Sequence, residues 1–149
     1  MDEETITCLI KEVSIRLRDL ENSRRIAEDI TPAQSFMLGY LISSGKDEFF
    51  ASHIQKETGV SKATVSSVLK GLKQKEYLTM EETSEDERRK RIRLTPKAYA
   101  LAPQITAYQM QIEEVLCRGI EPGEIEIIRK GLETMRMNIN TDRSRRIKA

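Results

Sequence analysis

The sequence contains few of the residues from which disulfides, metal centres and catalytic sites are built. Its two cysteines, Cys8 and Cys117, lie far apart and in no Cys-x-x-Cys motif, and its only histidine is His53. Disulfide frameworks and zinc clusters need more cysteine and histidine at closer spacing. The chain also lacks a glycine-rich phosphate loop and a nucleophile elbow. We therefore expect no metal, no cofactor and no enzymatic activity.

Long apolar segments are absent as well. No run of about eighteen apolar residues occurs, and the first residues, MDEETITCLIKE, are acidic where a signal peptide would be basic. This pattern argues against a membrane protein or an exported one. We expect a cytoplasmic protein with no membrane partner.

Neither sign of charge dominates the chain. The 149 residues carry 25 Lys and Arg against 24 Asp and Glu, which leaves a net charge of +1. The protein is therefore no bulk polycation that would bind nucleic acid indiscriminately, and any basic surface must be local. The length corresponds to about one domain with a real core.

The first two segments are predicted as helices. Apolar residues recur at helical spacing and predict one amphipathic helix over residues 1–30. The next helix begins at Thr31, a capping residue, with Pro32 at the first helical position and Gln34 placed to complete a capping box. This helix should end near Ser43-Ser44-Gly45.

Two further helices are predicted to meet at a tight turn. Residues 51–58 form a short helix that Gly59 ends, and Ser61 supplies the N-cap of the next helix. One face of that next helix is apolar and belongs to the core, whereas the other is small, polar and basic. The apolar stripe consists of Val65, Val68, Leu69 and Leu72.

Beyond Tyr77 the apolar residues alternate instead. Leu78 and Met80 on one strand, with Ile92 and Leu94 on the other, predict an antiparallel β-hairpin. The charged run between them is expected to form a long loop.

The last third of the chain is predicted to be helical. Thr95-Pro96 repeats the cap-and-proline signal and begins one helix, and Glu121-Pro122 precedes another. Residues 141–149 are basic, and we expect them to form a flexible tail.

Helix, turn, helix and charged hairpin follow one another in the order of a winged helix-turn-helix. In that fold the second helix enters the major groove of DNA, and the hairpin reaches phosphates or the minor groove. We therefore predict a mainly α fold with a small antiparallel β-hairpin, in which residues 31–95 form the winged helix-turn-helix DNA-binding region.

Four stretches resemble the MarR family of bacterial transcription regulators, and together they extend over nearly the whole chain. They are TPAQSFMLGYL at 31–41, ETGVSKATVSSVLKGLKQKEYL at 57–78, the wing signature Asp86-x-Arg88-x-Lys90, and RIRLTPKA at 91–98. The wing spacing followed by Leu-Thr is the most specific of them. Two positions depart from the usual family pattern. Ser67 stands where arginine is frequent, and Gly71 lies inside a helix at a cost of roughly 1 kcal/mol relative to Ala.

The resemblance implies a sequence-specific transcription regulator, a repressor, that acts as a homodimer on a pseudo-palindromic operator in double-stranded DNA. It also implies that residues 1–30 and 96–140 form a helical dimerisation lobe. The apolar stripes of these two segments exceed what a lone winged domain needs, although packing within one chain must account for part of them.

We assign the DNA contacts of this fold first to the exposed face of the helix at 61–75. Base edges or phosphates are assigned to one set of residues and the phosphate backbone to Lys70. The first set comprises Ser61, Lys62, Ala63, Thr64, Ser66 and Ser67.

The wing supplies the remaining DNA contacts. Asp86 and Arg88 lie two residues apart, so their side chains can pair and hold the guanidinium out toward a narrow minor groove. The bases Arg89, Lys90 and Arg91 then meet phosphates or carry the strand back to the core.

Similar proteins often respond to small, amphipathic and frequently anionic aromatic compounds bound between the dimerisation and DNA-binding lobes. The resemblance thus implies a small-molecule effector that releases the operator. Four residues lie on elements that would border such a cleft: Arg16, Phe36, Met37 and Tyr40.

Two alternatives stay open at the level of the sequence. Cys8 lies on the first helix, roughly where hydroperoxide-sensing relatives carry their reactive thiol, so the protein could be a thiol-based redox sensor. The second alternative is a winged-helix module that binds protein instead of DNA, which the near-neutral net charge allows. Such a module would have no need of small polar residues at 61–67 together with Arg88.

Overall fold

The structure of the protein, a computed structural model, describes residues 4–83 and 86–148, without the side chains of residues 83–89, 147 and 148. Within these ranges the chain forms seven helices and one two-stranded antiparallel sheet, which confirms the predicted fold class. In chain order the elements are α1 Ile6–Ser23, α2 Pro32–Ser43, α3 Ala51–Thr58, α4 Lys62–Gln74, β1 Leu78–Thr83, β2 Asp86–Leu94, α5 Pro96–Ala100, α6 Ala102–Cys117 and α7 Pro122–Lys148. Contacts divide the chain into two compact units, Met1–Ile112 and Glu113–Ala149.

The core of the first unit lies among α2, α3, α4 and the hairpin. Its largest fully buried side chains come from all of these elements and from the segment before α2. They are Ile30, Met37, Leu38, Leu41, Ile54, Val65, Leu69, Leu72, Leu78 and Ile92. This core holds α4 and the hairpin on one scaffold.

The first helix is shorter than the sequence predicts. It ends at Ser23 instead of extending through residue 30. The chain leaves the helix because Ile26 and Ala27 pack against the core and Ile30 is 1% exposed. None of the residues of α1 is buried in this structure.

The second helix begins and ends as predicted. Gln34 N–H donates to the Thr31 hydroxyl at 3.2 Å, and Thr31 N–H donates to the Gln34 side-chain oxygen at 3.1 Å, which completes the capping box. Pro32 stands at the first helical position, and the helix stops at Ser43. These signals are local, so the sequence alone located the helix.

The turn between α3 and α4 also follows the prediction. Gly59 ends α3 with a left-handed φ of 73°, a backbone conformation that residues with a Cβ rarely adopt. Ser61 caps α4 by accepting from the Thr64 N–H at 3.3 Å. Val65 and Leu69 on the inner face of α4 are each 1% exposed.

The predicted long loop of the hairpin is wrong. β1 continues to Thr83 and β2 begins at Asp86, so the strands take up most of the charged run. Antiparallel pairing uses backbone groups, and a two-stranded ribbon leaves charged side chains in water. Opposite charges also face each other across the ladder, with Glu81 paired to Arg91 and Glu82 paired to Lys90.

The C-terminal helices differ from the prediction in two places. The helix predicted from Thr95-Pro96 is interrupted at Leu101, which separates α5 from α6. The cause is Pro103, which has no N–H to donate to the carbonyl four residues earlier. Residues 141–148, for which we predict a flexible tail, instead continue α7, with Arg146 and Asp142 paired at 3.3 Å one turn apart.

None of the helices in the described ranges is long and apolar enough to span a membrane.

Candidate nucleic-acid interface

The outer face of α4 presents the polar residues that the sequence analysis selected. Ser61, Lys62, Ala63, Thr64, Ser66, Ser67 and Lys70 are all exposed. The opposite face is held in the core by Val65, Leu69 and Leu72. Packing therefore fixes which side of α4 is turned to solvent.

Two of these residues already serve the helix itself. The Ser61 hydroxyl caps the helix and donates to the Thr64 hydroxyl at 2.9 Å. Thr64 can still accept or donate further, because a hydroxyl carries one donor and two acceptor positions. The pair stiffens the first turn of α4, where a recognition helix contacts bases.

A basic groove lies between α3, α4 and the hairpin. It has a volume of about 600 Å³, and none of the described residues that line it is acidic. Four lysines contribute to it, three from α4 and one from β2, namely Lys62, Lys70, Lys73 and Lys90. We call this surface the lysine groove. Its concentrated positive charge is the local basic surface that the near-neutral composition requires.

Three residues that line the lysine groove were not predicted from the sequence. Lys73 follows Lys70 by three residues and so lies on the same face of α4, a spacing that could have identified it. Ser52 and Gln55 of α3 also line the groove. No sequence signal distinguishes them, because their position depends on how α3 packs against α4.

The hairpin divides its basic residues between two faces. Lys90 is exposed and lines the lysine groove, whereas the next residue, Arg91, points away from it because successive strand residues alternate. Arg91 Nε lies 3.4 Å from the Glu48 carboxylate, and Arg93 also pairs with Glu48. A hydrogen bond from Arg93 lowers the pKa of Glu48, with the nearby Arg91 charge acting in the same direction and partial desolvation opposing both.

The rest of the predicted wing contacts lie beyond what the structure describes. The backbones of Asp86, Arg88 and Arg89 belong to β2, but their side chains fall outside the described residues. The pairing of Asp86 with Arg88 stays a prediction.

A second concave site, of about 500 Å³, lies where the end of α1 meets the starts of α2 and α4. Phe36 and Met37, two of the four residues predicted for an effector, line it. Arg16 is exposed elsewhere on α1, and the Tyr40 hydroxyl instead donates to Glu57 of α3. We call this site the α1–α4 pocket.

Charged residues of α1 complete the α1–α4 pocket. Arg18 and Glu21 line it, together with Arg25 just beyond the helix. Burial raises the pKa of Glu21, and the Arg18 charge partly opposes that rise. Arg16, which was predicted from the sequence, does not line the pocket, because the rotation of α1 about its axis follows from its packing.

The cysteines are placed differently in the two units. Cys8 is exposed on α1, and the redox role assigned to it stays a prediction. Cys117 is half-buried; burial raises the pKa of its thiol, as do the charge of Glu113 and a hydrogen bond to it. Among the residues that the structure describes, no group of His, Cys, Asp and Glu side chains is arranged to hold a metal ion.

Comparison with known proteins agrees with this arrangement. Residues 28–89, which include α2 to α4, β1 and the start of β2, match the model of the MarR family. BpsR of Bordetella bronchiseptica, whose DNA binding is regulated by 6-hydroxynicotinic acid, is 25% identical with a TM-score of 0.80, over 89% of this chain and 98% of that one. S. aureus MepR, solved as a complex with DNA, is 26% identical with a TM-score of 0.80, over 91% and 99% respectively. No curated protein sequence matches the chain.

Proposed function

We propose that this chain binds a pseudo-palindromic operator in double-stranded DNA as a homodimer. It represses transcription until a small ligand releases it from the operator. The chain belongs to the MarR family of transcription regulators. The observation that carries the proposal is the lysine groove, which joins the exposed face of α4 to the inner face of the hairpin. A winged helix-turn-helix uses these two elements to bind the major groove and the adjacent backbone.

The residue types on α4 suit base reading within a basic frame. The exposed first turns are small and polar, so the helix backbone can approach the base edges closely, with hydroxyls as donors and acceptors. Lys62, Lys70 and Lys73 surround this face and would contact phosphates. In the wing, we propose that Arg88 enters the minor groove with Asp86 as its orienting partner, while Lys90 contacts phosphate.

Uncovered apolar surface supports the homodimer. In α1 no residue is buried, and four apolar residues at helical spacing are each at least 39% exposed, namely Ile6, Leu9, Ile10 and Val13. In the second unit α7 exposes Ile127, Ile128, Leu132, Met137 and Ile139. Stretches of apolar surface at this density are typical of association surfaces. We propose that both helices are covered by a second copy of the chain.

The α1–α4 pocket is the proposed effector site. Phe36 and Met37 provide apolar surface, while Arg18 and Arg25 provide positive charge, a combination that suits a small aromatic anion. BpsR responds to a compound of this class. Val60, Thr64 and Val68 also line the pocket, so a bound ligand would press directly on the start of α4. Displacement of α4 within a packed core would change its fit to the operator.

Selection of bound sequences from random duplex DNA by the purified protein tests the proposal. We expect enrichment of two inverted half-sites with their centres about one helical turn apart, the spacing of a symmetric dimer. Enrichment no better than with an unrelated protein would reject DNA binding and favour a protein-binding module. Analytical ultracentrifugation should give a dimer, and removal of residues 1–25 should abolish operator binding or cause aggregation. A folded monomer that retained full affinity would reject the dimer.

Release of DNA by small ligands tests the proposed effector site separately. Aromatic carboxylic acids, 6-hydroxynicotinic acid among them, should release the labelled operator from the wild type. Arg18→Ala and Arg25→Ala should remove the response, whereas Arg16→Ala, a matched loss of charge from α1 outside the pocket, should keep it. Equal responses in all three variants would contradict an anion site in the α1–α4 pocket.

A further inference from the structure

We propose that Glu48 is a positioning residue for the DNA-binding hairpin, which it fastens to the segment between α2 and α3 through Arg91 and Arg93. The consequence for DNA rests on the proposed function, whereas the attachment itself can be measured in the protein alone. Glu48 lies outside the lysine groove and outside the α1–α4 pocket.

Backbone pairing brings Glu48 to the hairpin. Phe49 N–H donates to the Ile92 carbonyl at 2.9 Å, and Ile92 N–H donates to the Phe49 carbonyl at 2.8 Å. Phe49 thus forms a one-residue third strand on the free edge of β2. Both side chains are buried, at 6% and 0% exposure. This antiparallel pair sets Glu48 beside the residues that flank Ile92.

Those flanking residues are both arginines. Glu48 pairs with Arg93, and its other carboxylate oxygen lies 3.4 Å from Arg91 Nε. The Arg91 Nε atom is itself buried and makes no hydrogen bond within the described structure. Removing the carboxylate would leave the buried Nε atom without its ion-pair partner, although the rest of the Arg91 side chain, 37% exposed, stays in contact with water. One carboxylate therefore holds two successive outward positions of β2.

The other charges near this cluster do not replace Glu48. Asp47 and Glu81 act on Arg93 through their charge, but more weakly than Glu48, whose hydrogen bond contributes most. Glu81 also stands opposite Arg91 in the ladder. Lysines of the groove lie on the other face of the strand, where Lys90 is the nearest member in sequence.

The backbone bridge between Phe49 and Ile92 alone would let the hairpin rotate about that point. The ion pairs of Glu48 oppose this rotation. The Phe49–Ile92 pair fixes one point of β2, and the two arginines fix the strand on either side of it. The strand that is held in this way continues directly into Lys90 and Arg88. We infer that Glu48 sets the direction in which the hairpin meets DNA, although its own charge repels phosphate.

The test compares Glu48→Gln with Asp47→Asn, which removes the same charge from the adjacent residue. Hydrogen exchange of residues 88–94 is measured without DNA, and operator and random duplex are titrated at two salt concentrations. We expect Glu48→Gln to speed exchange in β2 and to weaken operator binding by about tenfold, a loss of one well-placed contact, with random DNA bound as well as before or better. Asp47→Asn should leave exchange unchanged and bind both duplexes at least as tightly.

Exchanging the charges of residues 48 and 93 distinguishes a positioning role of Glu48 from a general loss of fold stability. Arg93→Glu alone should act like Glu48→Gln, and the double variant Glu48→Arg with Arg93→Glu should recover exchange protection and operator affinity in part, because it restores the pair between positions 48 and 93 but sets the new arginine at position 48 beside Arg91. If Glu48→Gln leaves exchange unchanged, or if it tightens operator binding like Asp47→Asn, Glu48 has no positioning role. If wild-type protein selects no DNA sequence, the proposed function fails, while the exchange data still decide whether Glu48 fastens the hairpin.

Discussion

The side-chain amide of Gln34 in α2 occupies the space that a Cβ on Gly71 of α4 would need. A methyl group built at Gly71 would stand 2.7 Å from Gln34 Nε2, well inside contact distance. The amide cannot move aside freely, because its oxygen accepts from the Lys75 ammonium at 2.8 Å and from the Thr31 N–H at 3.1 Å. The glycine that weakens α4 as an isolated helix thereby allows α2 and α4 to approach closely.

This contact predicts that Gly71→Ala lowers the stability of the fold when Gln34 is present and raises it when Gln34 is replaced by alanine. In wild-type protein the substitution should destabilise the fold by about 1 to 3 kcal/mol, since overpacking outweighs the helix propensity gained. In a Gln34→Ala background the same substitution should stabilise it by up to about 1 kcal/mol, the intrinsic advantage of alanine. Urea unfolding of the four proteins provides the measurement. Effects of the same sign in both backgrounds would contradict the contact.

Replacing Lys70 by Ala tests the role of the lysine groove. As a phosphate contact, Lys70 should contribute to specific and non-specific DNA alike, and its loss should reduce the slope of log K against log salt by about 0.9 per phosphate released. Lys97→Ala is the control, because Lys97 donates to the Lys75 carbonyl at 2.7 Å and lies 4.4 Å from the centre of the Tyr77 ring. An unchanged salt slope for Lys70→Ala would remove it from the interface.

Substitutions at Asp86 and Arg88 distinguish an orienting pair from a simple charge effect. Arg88→Ala should cost about 1 to 3 kcal/mol of operator affinity and relax sequence preference near the ends of the site. Asp86→Asn removes a negative charge, so electrostatics alone would tighten binding, whereas loss of an orienting partner would loosen it. We expect looser binding in titrations of a labelled operator. Tighter binding by Asp86→Asn would end the proposed role of the pair.

Cys117 should react slowly with alkylating agents at neutral pH. Burial and the Glu113 carboxylate raise the pKa of its thiol above the ordinary value of 9.0. A raised pKa leaves less of the reactive thiolate at any given pH, so the midpoint of the rate-against-pH profile should lie above pH 9.0, where an ordinary thiol is half ionised. Iodoacetamide kinetics on a Cys8→Ser protein isolate this thiol. Glu113→Gln should speed the reaction, and a slower one would contradict the assigned cause.

Sequence patterns located the central helices because the signals that begin and end them act within a few residues. The capping box of Thr31 and Gln34 and the left-handed Gly59 needed no information from elsewhere in the chain. The hairpin loop was misjudged because strand length depends on partners across the ladder. The turn into β1 could not be predicted from the sequence either, since Glu76 adopts a left-handed φ of 65° that glutamate does not favour.

The sequence by itself determined the order of elements, the inner and outer faces of α4 and the concentration of basic residues in the wing. These follow from periodicity and from capping, which depend on neighbouring residues alone. Tertiary structure decided which charges remain available. It added Lys73 to the groove, turned Arg91 toward Glu48 and brought Arg18 in place of Arg16 to the α1–α4 pocket. Whether a charge is neutralised depends on which group folding places a few ångströms away from it. That distance cannot be read from the separation of the two residues along the chain.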